Sequence, residues 1–280
     1  MKNIAYTLLS AMLFCATFSV NAQGIKMPQA SSGQTIIQDL GLGKVTIAYS
    51  RPNVKGRKML GGQEPYGKVW RTGANAATTI TFTDEVTIEG NKVAPGTYGL
   101  FTIPDPKEWT IILSKTNKTW GAYTYKQEDD LLRFKVKAIN TKELVETFTL
   151  QFDNVMPTSA DLNLAWEHTS LTIHITTDID ARVMASIDEA MKGEKKPYFA
   201  AAQYYYSNDK DMNKALEWIN EVEKASPKSP MPKLWKARIL LKMGNKKEAL
   251  ATAQEGVSLA KESKNDEYER LNAAVASQAK

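Results

Sequence analysis

The stretch LTIHITTDIDARVMASIDEAM, Leu171–Met191, holds the change of period that divides this chain. Over its first five residues, Leu171, Ile173 and Ile175 alternate with Thr172 and His174. That is the period of a strand with one face in a core and the other in water. From Ile179 the apolar positions fall three and four apart, at Val183, Met184, Ile187 and Met191. That is the period of a helix with one buried stripe.

Upstream of this point, from about Lys44 to Thr177, the alternation dominates. It runs through T-T-I-T-F at Thr78–Phe82, L-R-F-K-V-K at Leu132–Lys137 and F-T-L-Q-F at Phe148–Phe152. Turn-forming groups separate such runs: E-G-N-K at Glu89–Lys92, A-P-G at Ala94–Gly96 and P-D-P at Pro104–Pro106. The pattern predicts an all-β unit over 44–178, roughly eight or nine short antiparallel strands in a sandwich or open barrel. Residues 23–43 are read as an N-terminal segment outside it.

Downstream, helices are predicted at about 180–192, 197–206, 211–225, 231–243, 246–262 and 265–279, giving a helical unit over 179–280. Within it Ala215-Leu216 recurs as Ala249-Leu250, 34 residues on, with Ile219 matching Ala253 and Val222 matching Gly256. Small residues at matched positions let two helices approach closely. This resembles the tetratricopeptide repeat, a helix–turn–helix unit of that period. The resemblance implies a groove for a partner protein or peptide, with Tyr204 on one inner face and Trp235, Arg238 and Lys242 on the next. The competing reading is that these four side chains only pack helices together.

The first residues, MKNIAYTLLSAMLFCATFSVNAQ, have a positive start at Lys2, an uncharged apolar run from Ile4 to Val20 and small residues before Gln23. That is the layout of a cleavable signal peptide ending at Ala22, and it predicts a periplasmic or secreted protein with no stable membrane span after cleavage. Cys15 is the only cysteine and leaves with the signal. The remaining chain then has no disulfide, thiolate nucleophile or cysteine metal ligand, so its hydrophobic core must hold it together. The net charge of +5 is mild and gives no reason to expect nucleic acid.

One long segment fits neither period. YSRPNVKGRKMLGGQEPYGKVWRTGAN, Tyr49–Asn75, carries Arg51, Arg57 and Arg71 beside Tyr49, Tyr66 and Trp70, with Glu64 as its one acid. Pro52 and Pro65 bar regular structure, and five glycines permit tight turns. A loop of this length either binds something or packs itself into an ordered lobe. An arginine fork suits a carboxylate, sulfate or phosphate. The expected ligand site is Arg51, Arg57, Tyr66, Trp70, Arg71 and Asn75, with Arg51 and Arg71 directed to a common point beside Asn75. The structural alternative is that Arg71 ties down loop carbonyls.

The motifs Y-S-R-P, G-R-K, P-Y-G-K-V-W-R-T-G-A-N, then A-P-G-T-Y-G-L-F-T-I-P, E-W-T-I and W-G-A-Y resemble a secreted bacterial family, domain-of-unknown-function family twenty-nine eleven, over about Ile25 to Thr177. The resemblance implies the β-domain and an exported location, since members commonly carry a signal peptide and some carry tetratricopeptide-like helices after the domain. It implies no activity.

No nucleophile elbow, phosphate loop or zinc-protease motif is present, and no cofactor or metal is implied. His168 and His174, six apart, lack further ligands for a usual zinc site. Trp120-Gly121-Ala122-Tyr123 can line a pocket mouth. The favoured function is binding or scaffolding outside the cytoplasm, the β-domain holding a small or anionic ligand and the helices a partner. The rival is a hydrolase using Glu167, His168 and an arginine as oxyanion stabiliser.

Overall fold

The computed structural model describes residues 27–280. The predicted signal peptide, with Cys15, lies outside the described residues. The chain divides into two compact units, one ending at Asp178 and the other beginning at Ile179.

The first unit contains, among the described residues, ten strands: β1 (Ser32–Leu40), β2 (Gly43–Arg51), β3 (Thr78–Phe82), β4 (Val86–Ile88), β5 (Asn91–Val93), β6 (Gly96–Ile103), β7 (Glu108–Ser114), β8 (Asp130–Lys137), β9 (Ile139–Met156) and β10 (Ser159–Thr176). They form two antiparallel sheets, ordered β1-β2-β3-β6-β7-β8 and β5-β4-β10-β9. Alternate residues of both sheets meet in one core: Val45, Ile47 and Tyr49 of β2 and Leu100 of β6 from the first, Leu150 of β9 and Leu162, Leu164 and Trp166 of β10 from the second. Each such side chain stabilises the fold by about 1.5–3 kcal/mol through removal from water.

Two features depart from the expected pattern. Strand β1 lies inside the segment read as outside the domain. Its inward face is Gln34, Ile36, Gln38 and Leu40, while Ile37 points out and is 64% exposed. Glutamine inside and isoleucine outside erase the alternation of an edge strand. Also, the six-stranded sheet is covered on its outer face. Phe101 of β6 and Ile112 of β7 form a second small core with Ala77, joined by Val69, Ala122 and Tyr125 from flanking loops. Burial on both faces is why I-I-L, Ile111–Leu113 of β7, reads as a continuous apolar run.

The second unit is α1 (Asp180–Ala190), α2 (Tyr198–Ser207), α3 (Met212–Ala225), α4 (Pro230–Lys242), α5 (Lys246–Glu262) and α6 (Asp266–Gln278). Three starts are fixed by side-chain caps. Asp211 accepts from the amides of Asn213 (2.9 Å) and Lys214 (3.3 Å), Ser229 from Met231 (3.4 Å), and Asn265 from Tyr268 (3.1 Å). From α2 onward each helix packs on the next, and α4 also packs on α6. Close approach rests on small residues: Ala215, Ala237, Ala249 and Ala253 are fully buried.

Candidate functional site

The glycine-rich segment after β2 is ordered by contacts with strands far away in sequence. Its centre is Trp70. The Trp70 backbone exchanges two hydrogen bonds with Thr102 of β6, 2.7 and 2.9 Å. This turns the indole inward among Trp109, Phe148 and Trp166, with 3% of the residue exposed, and its N–H donates to the Gly73 carbonyl at 3.0 Å. Thr72 is fully buried; its carbonyl accepts from Thr78 Oγ1 (2.6 Å) and its hydroxyl meets Thr102 Oγ1 (3.1 Å). Gly73 has no room for a side chain, because a Cβ there would stand 2.9 Å from the Ser50 carbonyl.

The other end of the loop hangs on Glu167. This residue sits at φ +50° in an irregularity of β10, and its carboxylate accepts from the amides of Met59 (2.6 Å) and Leu60 (2.8 Å). His168 directs Nδ1 to the Thr141 carbonyl at 3.2 Å. The acid–base pair of the hydrolase reading therefore has its carboxylate engaged as a backbone clasp.

The arginines expected to converge do not. Arg51 donates Nε to the Phe148 carbonyl (3.0 Å) and Nη2 to Thr149 Oγ1 (2.8 Å), both on β9. Arg57 donates to the carbonyls of Val54 (3.0 Å) and Asn53 (2.7 Å). Asn75, at φ +58°, donates to the Ser31 carbonyl (3.2 Å) and Ser50 Oγ (3.3 Å). Tyr66 is 40% exposed, and its ring lies where a Cβ on Gly61 would be. Arg51 and Arg57 thus have the structural role that was the alternative for Arg71.

Arg71 differs from them. Trp70 points into the core, while Val69 packs against the second core on the outer face of the sheet. Arg71 borders a cavity of about 230 Å³ lined also by Glu64, Val69, Trp70, Ala122 and Tyr123. Its guanidinium makes no hydrogen bond or ion pair among the described residues, and Nε is buried without an acceptor. Nη1 lies under Gly121, 2.9 Å from where a Cβ would stand. The Glu64 carboxyl also has no hydrogen-bond or ion-pair partner among the described residues. Burial pushes its pKa up, and the charge of Arg71 pulls the other way. Tyr123 at the rim is 86% exposed. Among the described residues, a wider depression of about 490 Å³ beside β1, β2 and β3 has Lys118 as the only charged side chain lining it.

The packed and bonded residues of this segment, the buried Tyr49, Trp70, Thr72 and Gly73 and the half-buried Arg51, are those of the motifs that carried the family resemblance. Residues 31–175 match the family described as protein of unknown function (DUF2911). The chain belongs to the DUF2911 family. No curated protein and no solved structure matches it. The DUF2911 domain therefore spans nearly all of the ten-stranded unit, and the helices follow it.

In those helices Trp235 lies edge-on to Phe199 (5.9 Å, 82°) and Tyr206 (5.6 Å, 89°), with the Arg238 guanidinium 5.0 Å from the Trp235 ring centroid. Lys242 Nζ donates to the Tyr206 carbonyl at 2.6 Å, stands 4.7 Å from the Tyr206 ring centroid and pairs with Asp209 at 2.5 Å. Tyr204 is placed elsewhere, donating to Asp180 at 2.9 Å. Among the described residues no helix is long and apolar enough to cross a membrane.

Proposed function

We propose that this protein is an exported binding protein whose DUF2911 domain holds a small anionic ligand on Arg71. The observation that carries the reading is the Arg71 guanidinium, which borders the cavity of about 230 Å³ and makes no hydrogen bond or ion pair among the described residues. Placing an arginine partly out of water without an acceptor costs free energy, and a bound carboxylate or similar oxyanion offsets it by accepting two parallel N–H bonds. Export rests on the layout of residues 1–22. Thermal melting of the purified protein against a panel of small carboxylates tests the ligand. Binders should raise the melting temperature with concentration. Arg71→Ala should abolish the shift, and Arg71→Lys should weaken it, because lysine keeps the charge and loses the fork. No shift with any oxyanion in the panel ends the proposal.

The helices are read as tetratricopeptide-like units, supported by the starts of α3 and α5 at Met212 and Lys246, 34 residues apart. Their partner is proposed to be an acidic extended peptide, taken by the aromatic and cationic face of Trp235, Arg238 and Lys242. Fluorescence anisotropy with glutamate-rich peptides tests this, and unchanged affinity in Arg238→Ala would remove that face from consideration.

A further inference from the structure

The Arg71 cavity contains two opposite charges that attract each other across it, and among the described residues neither has a hydrogen-bonded or ion-paired partner. Arg71 and Glu64 line the same space of about 230 Å³ without forming an ion pair or sharing a hydrogen bond. A simple anion would satisfy only half of this arrangement. It would neutralise the guanidinium and bring a second negative charge toward a carboxylate already held partly out of water, which disfavours the charged pair. A molecule with a carboxylate at one end and a cation at the other satisfies both groups at once.

We propose that the cavity selects small zwitterions, with a carboxylate on the Arg71 fork and an ammonium on Glu64. This rests on the reading that Arg71 takes an anion. Size supports it. An open space of about 230 Å³ admits a molecule on the scale of a small free α-amino acid. The walls support it as well. Val69 and Ala122 offer apolar contact for a short side chain, and the exposed Tyr123 ring stands at the rim, where a cation can also lie over its face. Glu64 is positioned by its own backbone: its amide donates to the Met59 carbonyl (2.8 Å) and its carbonyl accepts from Gly61 (2.9 Å). The residues beside this turn, Met59 and Leu60, are clasped by Glu167, so the carboxylate is presented from a fixed loop.

The ligands themselves provide a test that needs no variant. Isothermal titration of the full-length protein at pH 7.5 would compare L-alanine, N-acetyl-L-alanine and propionate. N-acetylation keeps the carboxylate and removes the positive charge. L-Alanine should bind roughly tenfold more tightly than N-acetyl-L-alanine, the difference expected of one additional hydrogen bond to a charged group. Glu64→Gln should bring L-alanine down to the level of the acetylated compound, with its melting curve recorded to show that it folds. If the acetylated compound or propionate binds as tightly as L-alanine, the zwitterion inference is overturned and the anion reading stands. If none of the three binds, and the panel of small carboxylates also fails to raise the melting temperature, both fall. If a simple anion from that panel binds while L-alanine does not, only the zwitterion inference falls.

Discussion

The indole of Trp70 lies flat against that of Trp166, with ring centroids 5.3 Å apart and planes 11° apart. Trp166 belongs to a strand and Trp70 to an irregular loop, so this stacking makes the loop part of the core. Truncating Trp70 to alanine removes the contact and leaves a void lined by Trp109, Phe148 and Trp166. The expected loss is about 3–5 kcal/mol, the range for large aromatic deletions in cores. Urea denaturation followed by tryptophan fluorescence measures it. A loss under about 1 kcal/mol would show that the loop packs on the sandwich without stabilising it.

The clasp on Glu167 makes a separate prediction about the same loop. Glu167→Ala strips the acceptor from the Met59 and Leu60 amides, at a cost of about 1–3 kcal/mol for donors left without partners. The opening should be local. Limited proteolysis should cut near Lys58 far faster in the variant, while the β-rich circular dichroism spectrum persists. Equal cleavage rates in the two proteins would mean that the other contacts of the loop hold it without the clasp.

The fold was readable wherever a strand has one wet face. Thr78–Phe82 and Leu171–Ile175 alternate because their outward residues are polar. Strand β1 was not readable, because Ile37 faces out and Gln34 and Gln38 face in. The helices were readable because their buried stripes recur every three or four residues, a local pattern, whether or not a side chain caps the start as Asp211, Ser229 and Asn265 do. The arginines are the opposite case. Arg51 finds the Phe148 carbonyl 97 residues away, and Met59 finds Glu167 at a separation of 108. Whether an arginine in such a loop is bonded or available depends on acceptors that no local pattern contains. Arg51, Arg57 and Arg71 look alike in the sequence, and of the three only Arg71 makes no hydrogen bond or ion pair among the described residues.

The pH dependence of the helical unit should follow Glu223. Burial raises the pKa of this carboxyl, but hydrogen bonds and charge from Lys233 and Lys236 outweigh it and hold the pKa below the usual glutamate value. A folded-state pKa below the unfolded one gives stability that is present above the unfolded value, about 4.3, and is lost as pH falls through the folded value. Thermal melts from pH 7 to pH 3 should show the helical transition weakening in acid. Glu223→Gln should lower the melting temperature at pH 7 and flatten that decline. The same acid slope in the variant would assign the effect to other carboxylates.

Gly256 on α5 meets Asn272 on α6 so closely that a Cβ would lie 2.1 Å from Asn272 Oδ1. Asn272 is fully buried and held by its amide group, which donates to the Tyr268 carbonyl at 2.8 Å. Gly to Ala in an exposed helix stabilises by about 1 kcal/mol. Here the added methyl must push the asparagine off its partner or part the helices, and overpacking of this kind costs about 1–3 kcal/mol. Gly256→Ala should therefore destabilise the helical unit in a denaturant melt followed at 222 nm. A stabilised variant would mean that the helices part without cost.

Gly121 tests the cavity without substituting either of its charged groups. It stands at φ +77°, and a Cβ there would lie 2.7 Å from Tyr123 Cε2 and 2.9 Å from Arg71 Nη1. Both neighbours are outer atoms of side chains, so they yield cheaply, and the main cost of Gly121→Ala is the left-handed backbone, about 1–2 kcal/mol. The core of Trp70, Trp109 and Trp166 should be unaffected. The guanidinium, however, must leave its place under residue 121, and the Tyr123 ring at the rim must turn. The variant should melt only a few degrees below the parent and bind carboxylates at least tenfold more weakly. Full stability with unaltered carboxylate affinity would show that the position of Arg71 under Gly121 has no part in binding. A loss of stability as large as that of Trp70→Ala would show that the segment after Trp120 helps to hold the core.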